Sequence, residues 1–502
     1  MRQCNECKPH NKDSPEGIGE MVSDLKAILP GCIIKGGNTR VGDIKIDSRN
    51  IKKGDTFIAL RGSTTDGHRF ISDAIKRGAG VIICEKGPLP DGIDVTYIEV
   101  ADTRKALEIL LPLRYPKAKD VTLVGITGTN GKTTTAYLLE AILSASGKAP
   151  GVIGTIETRY KDISISSVIT TPSPTELFET LSAMRKSGVD TCIMEVSSHG
   201  LHQDRIGALR FDYAIFTNLS QDHLDYHRDM DAYFAAKRRL FSKYLDGKAI
   251  INIDDPYGEH LAREVSTPIT FGTKDSAMVR SSSIEVSFHG LSLVLETPMG
   301  ALDIKSHLLG DVQVYNIMAS VSAAIALNLP KDAIVRGICS LKKVPGRMEV
   351  VENPYDITVL VDFAHTPQAL AKAIGSVRAF TKGRVVTVFG CGGDRDRGKR
   401  SQMGRVVSLL SDLSIITSDN PRTEDPDAII KDILSGIKGL SNVEVEPDRR
   451  KAIMLGLKSV SVGDCLLIAG KGHEQYQIVG REKSPFDDKE VALSYIKEVF
   501  GP

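Results

Sequence analysis

The sequence of 502 residues has almost no net charge, with 64 Lys and Arg against 63 Asp and Glu leaving +1. Proteins that coat nucleic acid or lie on a membrane surface usually carry a basic excess, so this balance argues against both partners. No run of 18 apolar residues occurs, so no membrane-spanning helix is expected. Residues 1–20 are polar and lack the apolar stretch of a secretory signal. They read as a polar tail. The eight cysteines are scattered and form no dense framework, as suits reduced thiols in a cytoplasm. Cys4 and Cys7 make a C-x-x-C with His10 nearby. No second C-x-x-C completes a zinc site, so a tail that holds two thiols is favoured over a metal centre. Internal repeats and low-complexity segments are absent as well. What remains is a soluble, cytoplasmic, globular chain long enough for about three domains, and it needs no disulfides to stabilise its core.

The apolar pattern fills in the fold class. Short apolar runs alternate with amphipathic stretches. Strands are expected at Val121–Ile126, Thr191–Val196, Tyr213–Thr217, Ala249–Ile253, Thr358–Phe363, Val385–Phe389, Leu413–Thr417 and Cys465–Ala469. Several are continuously apolar, as buried parallel strands are. Leu138, Leu139, Ile142 and Leu143 share one helical face after the first of these. Thr366 is a candidate helix cap with Pro367 at the first helical position, followed by Leu370, Ile374 and Val377 as the buried stripe. The expected fold is α/β with mostly parallel sheets. Leu113–Asp120 reads as a linker and Lys342–Gly346 as a second break. The domain limits expected are 21–117, 118–344 and 345–502. Within 278–310 the alternation of Ile284, Val286, Leu291, Leu293 and Leu295 predicts antiparallel strands.

The sharpest local signal is Gly125-Ile-Thr-Gly-Thr-Asn-Gly-Lys-Thr-Thr134, placed after an apolar strand and opening a helix. Glycines let successive N–H groups face an anion, and the helix N-terminus adds partial positive charge. Lys132 is suited to reach the β/γ-phosphates, and the Thr133 hydroxyl to ligate Mg²⁺. The spacing departs from the usual phosphate loop, because Ile126 stands where the first glycine should be. An ordinary glycine-rich turn is the competing reading, and the strand–loop–helix context favours the phosphate loop.

Gly128-Thr-Asn-Gly-Lys-Thr133 resembles the variant phosphate loop of the Mur ligases and of folylpolyglutamate synthase. Further blocks follow in family order: Met194-Glu-Val-Ser-Ser-His-Gly-Leu201, Thr217-Asn-Leu-Ser-Gln-Asp-His-Leu-Asp-Tyr-His227, Tyr233-Phe-Ala-Ala-Lys237, Pro345-Gly-Arg-Met-Glu349, Asp362-Phe-Ala-His-Thr-Pro367, Gly392-Gly-Asp-Arg-Asp396, Asp419-Asn-Pro-Arg422 and Ala469-Gly-Lys-Gly-His-Glu474. The resemblance covers nearly the whole chain after about residue 40. It implies three α/β domains: an N-terminal nucleotide-sugar-binding domain, a central phosphate-loop ATPase-type domain with a parallel sheet, and a C-terminal Rossmann-like domain.

The resemblance also implies the chemistry. ATP, as co-substrate, phosphorylates a carboxylate, and an amine then displaces phosphate from the acyl phosphate. Anionic oxygens crowd such a site, so electrostatic neutralisation dominates. On this reading Gly128, Thr129, Asn130, Gly131, Lys132, Thr133, Thr134, Asn316, Arg347, Asp362 and His365 bind ATP. Any direct adenine contact by Gln313 is in doubt, because the family often has Phe-Asn where Val312-Gln313 stands. Lys132, Glu195, His223 and Lys237 carry catalysis. Thr133, Glu195, His223 and Lys237 hold Mg²⁺, with Lys237 as a carbamate (N6-carboxylysine). Without the family context Lys237 would read as a solvated helix cation, and His199 and His227 read as structural hydrogen-bonders.

For the substrates, Ile46, Ser48, Ser63, Thr64 and Thr65 are assigned to the uridine end of UDP-N-acetylmuramoyl-L-alanyl-D-glutamate. Thr170, Thr171, Ser197, Gln203 and Arg205 are assigned along its muramoyl-peptide portion. Ile169 stands where the family usually has Asn, which removes one polar contact. Arg395, Asp419, Asn420, Pro421, Arg422, Gly470 and Glu474 are assigned to the amine, meso-2,6-diaminopimelate. Its distal carboxylate asks for a guanidinium, which binds it through two parallel hydrogen bonds. A lysine-adding or folylpolyglutamate synthase-like ligase is the rival within the class. A nucleotide-binding regulatory protein without activity is the rival outside it. The chain is expected to act as a monomer.

Overall fold

The computed structural model describes residues 21–62, 65–85, 95–437 and 442–501. Ser63, Thr64, Cys4, Cys7 and the polar tail lie outside the described residues. The chain divides into two compact units. The first gathers the described residues through Val121 with Pro172–Ser187 and Gln203–Leu209. The second takes the rest.

The first unit is built on a five-stranded sheet in the order Ile33–Lys35, Thr96–Glu99, Val81–Cys84, Thr56–Ile58, Ile44–Lys45. Only the Ile33–Lys35 edge runs antiparallel. Val81–Cys84 is buried at every position, which is why it reads as an unbroken apolar run. Phe57, Ala74, Ile82 and Tyr97 are among the residues of its core. The stretch expected as a linker is folded instead. Helix Thr103–Arg114 runs into it, and Pro116 opens a 3-10 turn over Pro116–Asp120. Proline suits that first position, where an N–H would be unsatisfied anyway. Buried Ala118 anchors the turn. Helix Pro174–Lys186, closed by a Ser173/Glu176 capping box, belongs to this unit. Tyr115 Oη donates to Glu179 on that helix at 3.1 Å.

The second unit contains two large sheets. One has eleven described strands. Its middle, Val279–Ser287, Ile269–Gly272, Leu245–Asn252, Phe211–Phe216, Thr122–Thr127, Thr191–Glu195 and Pro150–Ile153, is parallel throughout. Antiparallel strands extend both edges, including Gly290–Glu296 and Leu302–Ser306, where the alternation predicted them. Helices Lys132–Ala145 and Val312–Ala326 bury Leu138, Leu139, Ile142, Ile317 and Val321 in the same core as the strand residues Val124, Ile126 and Ile193.

The other sheet orders Glu349–Val350, Thr358–Asp362, Cys465–Ala469, Val385–Phe389, Leu413–Ile416 and Val443–Val445, parallel except at the first pair. Successive strand side chains point to opposite faces. Leu360, Val385, Phe389 and Leu467 therefore join one core with helices Pro367–Phe380, Gly398–Leu410 and Pro426–Leu434. Val359, Val386, Val388 and Leu466 join a second with helices Arg449–Lys458 and Asp488–Phe500. This is a doubly wound layout, whose ligand crevice lies beyond the carboxyl ends of the strands. Thr366 caps its helix by accepting from Ala369 N at 3.2 Å, with Pro367 at the first turn. Among the described residues no helix is long and apolar enough to cross a membrane.

Leu139 is fully buried on the phosphate-loop helix. Leu139→Ala is expected to destabilise the second unit by about 2–5 kcal/mol through lost burial and a residual cavity. Denaturant unfolding should show a lowered midpoint, and an unchanged midpoint would contradict this packing.

Candidate functional site

A cavity of about 1440 Å³ opens at the carboxyl ends of both sheets of the second unit. Its walls bring together the phosphate loop, Glu195, His223, Asn316, Arg347, Asp362 and His365. They also include Arg395, Asp419, Asn420, Arg422, Gly470 and Glu474. Residues nearly 350 positions apart in sequence thus face one volume.

The phosphate loop follows strand Thr122–Thr127 and turns into helix Lys132–Ala145 at Gly131, whose φ is +88°. A side chain there would also meet Asn316 Oδ1 at 2.4 Å, so this position requires glycine. Asn218 braces the loop: its carbonyl accepts from Thr129 N at 2.9 Å and its Oδ1 from Asn130 N at 3.0 Å. Asn316 donates to Gln313 Oε1 at 2.8 Å, and both are buried.

Lys132 Nζ donates to Gly128 O at 2.8 Å and to Thr129 O at 3.0 Å. Lys237 Nζ, 1 % exposed, donates to the same Gly128 O at 2.8 Å. Burial lowers the pKa of Lys132. For Lys237, burial and the neighbouring Lys132 charge lower it well below the usual lysine range. Two ammonium groups thus converge on one carbonyl in a desolvated place, an arrangement that favours anionic company.

Glu195 ends strand Thr191–Glu195 and is 1 % exposed. Its Oε2 accepts from Thr133 Oγ1 at 3.0 Å and Thr155 Oγ1 at 2.8 Å, and its Oε1 from Thr155 N at 3.0 Å. Arg347 Nη2 donates to Thr133 Oγ1 at 3.2 Å, and its guanidinium lies 4.5 Å from the centre of the Phe363 ring. Thr133 and Glu195 are hard oxygen donors set together at a helix N-terminus, so this donor set fits Mg²⁺.

Asp362 accepts from Met348 N and Ala364 N, both at 2.7 Å, and burial raises its pKa. The His365 Nδ1–H donates to Phe363 O at 2.6 Å, which leaves Nε2 3.6 Å from Asp222 Oδ2. His223 Nε2 stands 3.5 Å from the same oxygen. Burial pushes the His223 ring down to about 3, so it is neutral near pH 7. Burial alone would raise Asp222, yet His365, His223 and Lys399 hold it well below the carboxylate range. His227 pairs with Ser198 Oγ at 2.9 Å and stacks on Tyr233, a structural role as expected from sequence.

The far end of the cavity has its own charges. Asn420 donates to Glu474 Oε2 at 2.8 Å, and fully buried Lys471 donates to Asn420 Oδ1 at 3.2 Å and Glu474 Oε2 at 3.1 Å. Gly470 has φ +114°, and a Cβ there would reach Asp419 Oδ2 at 2.7 Å. Arg422 has φ +51° and donates to Gly393 O at 2.7 Å. Burial first, and then the charge of the nearby Arg395, lower its pKa. Arg395 is exposed and donates to Asp394 O at 2.9 Å. Pro421 is buried between Asn420 and Arg422.

Of the substrate residues, Thr171 Oγ1 donates to Glu195 O at 3.1 Å and accepts from Ser197 N at 3.0 Å. Thr170 Oγ1 lies 3.2 Å from Thr155 Oγ1. These three join the Glu195 network. Ile46, Ser48, Thr65, Gln203 and Arg205 belong to the first unit. Ser48 is buried in the 3-10 turn Ser48–Asn50, Thr65 is exposed, and Arg205 donates to Gln203 Oε1 at 2.9 Å. Sequence reasoning missed Asp222, Lys399, Thr155 and Lys471. Asp222 and Lys471 sit inside motif blocks already noted, which was the available signal. Thr155 and Lys399 carried none, since only the fold brings them to Glu195 and Asp222.

Family models match as the Mur ligase family catalytic domain over residues 40–115, the Mur ligase middle domain over 126–324, and the Mur ligase glutamate ligase domain over 346–472. The chain is 45 % identical over 479 residues to the UDP-N-acetylmuramoyl-L-alanyl-D-glutamate–2,6-diaminopimelate ligase of Geobacter metallireducens, covering 90 % of this chain and 93 % of that one. A solved structure of a ligase of that same name is 31 % identical with a TM-score of 0.66, covering 92 % and 95 % of the two chains. The MurF ligase of Thermotoga maritima in complex with ADP is 20 % identical with a TM-score of 0.64, covering 92 % and 98 %, and it speaks to the fold alone.

Near the same cavity, burial pushes His473 down to about 3 from an ordinary 6.5. Between those values the unfolded chain binds a proton that the folded chain does not, so stability falls as pH drops from about 6.5 toward 3. His473→Gln should flatten that part of the stability–pH curve in denaturant titrations. An unchanged slope would contradict the burial.

Proposed function

The chain belongs to the Mur ligase family, and from that premise we propose that it joins meso-2,6-diaminopimelate to the D-glutamate of UDP-N-acetylmuramoyl-L-alanyl-D-glutamate during peptidoglycan synthesis. It is an ATP-dependent ligase that forms an amide bond. The observation that carries the choice of amine is the pairing of Arg422 and Arg395 beside Asp419, Asn420 and Glu474. Two guanidiniums suit a distal carboxylate, while the neighbouring carboxylates suit the ammonium groups. A lysine side chain would bring only an ammonium to the arginines and be repelled.

The glutamyl carboxylate attacks the γ-phosphorus of ATP, ADP leaves, and an acyl phosphate forms. Lys132, the loop amides and Arg347 neutralise the charge that builds on the phosphoryl oxygens. The free amine of diaminopimelate then attacks the acyl carbon, the tetrahedral oxyanion collapses, phosphate leaves, and the amine gives up its proton. Thr133 and Glu195 would hold one Mg²⁺, and His223 with carbamylated Lys237 a second, supplying further charge neutralisation. The depressed pKa of Lys237 supports the carbamate, because the neutral amine is the form that adds CO₂. Ile46, Ser48, Ser63, Thr64 and Thr65 take the uridine end, and Thr170, Thr171, Ser197, Gln203 and Arg205 the muramoyl-peptide portion. Closure of the cavity excludes water from the acyl phosphate. The enzyme acts in the cytoplasm as a monomer.

Phosphate release should be measured with ATP, Mg²⁺ and the nucleotide-linked dipeptide, with diaminopimelate or lysine offered separately. Turnover strictly with diaminopimelate is expected, and a preference for lysine refutes the amine assignment. Arg422→Ala should weaken diaminopimelate by about a hundredfold and leave the KM for ATP near its original value. Equal weakening of both substrates would count against Arg422 as the reader. Lys237→Ala should lose most activity and regain part of it with added short carboxylic acids, whereas a fully active mutant excludes the carbamate.

A further inference from the structure

Two neighbouring residues at the start of helix Gly398–Leu410 reach in opposite directions. Lys399, 6 % exposed, donates to Asp222 Oδ1 at 3.2 Å. Asp222, 4 % exposed, lies beside His223 in the loop between strand Phe211–Phe216, which pairs with the phosphate-loop strand, and helix Leu224–His227. Arg400, fully buried, donates to Glu424 Oε1 at 2.7 Å and Oε2 at 2.9 Å, to Asp432 at 2.9 Å, and to Gly392 O at 3.3 Å. Gly392 and Glu424 flank the arginine pair: a Cβ on Gly392 would come 3.0 Å from Arg422 Nη1, and Glu424 Oε1 accepts from Asp394 N at 2.6 Å. A second contact runs parallel, with Gln221 Nε2 donating to Asp396 Oδ2 at 3.4 Å. Arg395 stands next to Asp396.

We propose that Lys399 is a positioning residue: through its ion pair with Asp222 it sets the register between the phosphate-loop domain and the loops that hold the amine. The proposal rests on the amine-binding reading given above. A buried ion pair adds little net stability, because desolvation offsets its Coulombic attraction, and it is better suited to fixing one geometry. The geometry fixed here is the distance between the acyl carbon and the attacking nitrogen. That nitrogen must approach to within about 3–3.5 Å for reaction. Asp222, held by Lys399 at 3.2 Å, also stands 3.5 Å from His223 and 3.6 Å from His365, while the adjacent Arg400 ties together the loops behind it. The substrate's own phosphate need not touch Lys399 for this role.

The test has two arms on the full chain. In the first, spin labels at exposed Cys339 and at Val462→Cys report the distance between the two sheets' domains, with Cys4, Cys7 and Cys32 replaced by serine. With a non-hydrolysable ATP analogue, Mg²⁺ and the nucleotide-linked dipeptide, the parent should give one narrow distance. Lys399→Gln should broaden it, and Lys399→Arg should restore it. In the second, Lys399→Gln should raise the KM for the amine by about tenfold or more while those for ATP and the dipeptide move by no more than about twofold. An unchanged distance distribution overturns the proposal, as does a parallel rise of all three KM values. If the parent turns over lysine instead of diaminopimelate, the amine assignment fails while the distance arm still decides the role of Lys399.

Discussion

The carbonyl of Gly128 receives hydrogen bonds from two buried ammonium groups, those of Lys132 and Lys237. This concentration of charge is the constraint from which the rest of the second unit follows. Burying a cation costs free energy unless something anionic accompanies it. Here the lysines' hydrogen bonds go to main-chain carbonyls, and the nearby charges of Glu195 and Asp222 only partly offset the cost of burial. Triphosphate oxygens are anions of the right kind, and a carbamate on Lys237 would itself remove one of the two positive charges. The turn at Gly131, which only glycine can make, the Asn218 brace and the packing of Asn316 against the loop all keep this charge in place before any substrate arrives. Such preorganisation is what allows charge stabilisation without reorganisation during reaction.

Much of the fold could be read from the sequence where burial forces a pattern. Val385–Phe389 and Cys465–Ala469 match their expected limits because central parallel strands are apolar on both faces. The Thr366–Pro367 helix start is equally direct, since capping depends on two adjacent residues. Leu113–Asp120 was read as a linker, and a unit boundary does follow it after Val121, but composition did not show that the stretch is itself folded. Buried Ala118 and the proline-led 3-10 turn are tertiary facts. The allocation of Pro172–Ser187 and Gln203–Leu209 to the first unit was likewise invisible, because nothing in a local window says which core a helix will join.

The candidate site divides the same way. Residues inside motif blocks, such as Glu195 and Arg347, were identifiable because the blocks carry several chemically constrained positions together. Thr155 was not. It holds both Glu195 oxygens through its N–H and hydroxyl, yet Gly154-Thr155 is an ordinary turn when read alone. Lys399 stood outside every block read from the sequence, and only the fold sets it against Asp222. Positioning contacts depend on distance in three dimensions, so sequence motifs record the groups that touch substrate more readily than those that aim them.

The two ends of the cavity solve opposite electrostatic problems. The phosphate-loop end gathers cations and meets anions. The other end mixes Arg395 and Arg422 with Asp419 and Glu474, a mixture that suits the zwitterion of the proposed function. Lys471, fully buried, sits between Asn420 and Glu474 and offsets part of the negative charge there. Were Glu474 left without that partner, it would attract any cation reaching the cavity, Mg²⁺ included. With Lys471 in place the acidic side is moderated, and the arginine pair becomes the stronger discriminator. On the proposed function, selectivity for a carboxylate-bearing amine arises from the balance between the two charge groups.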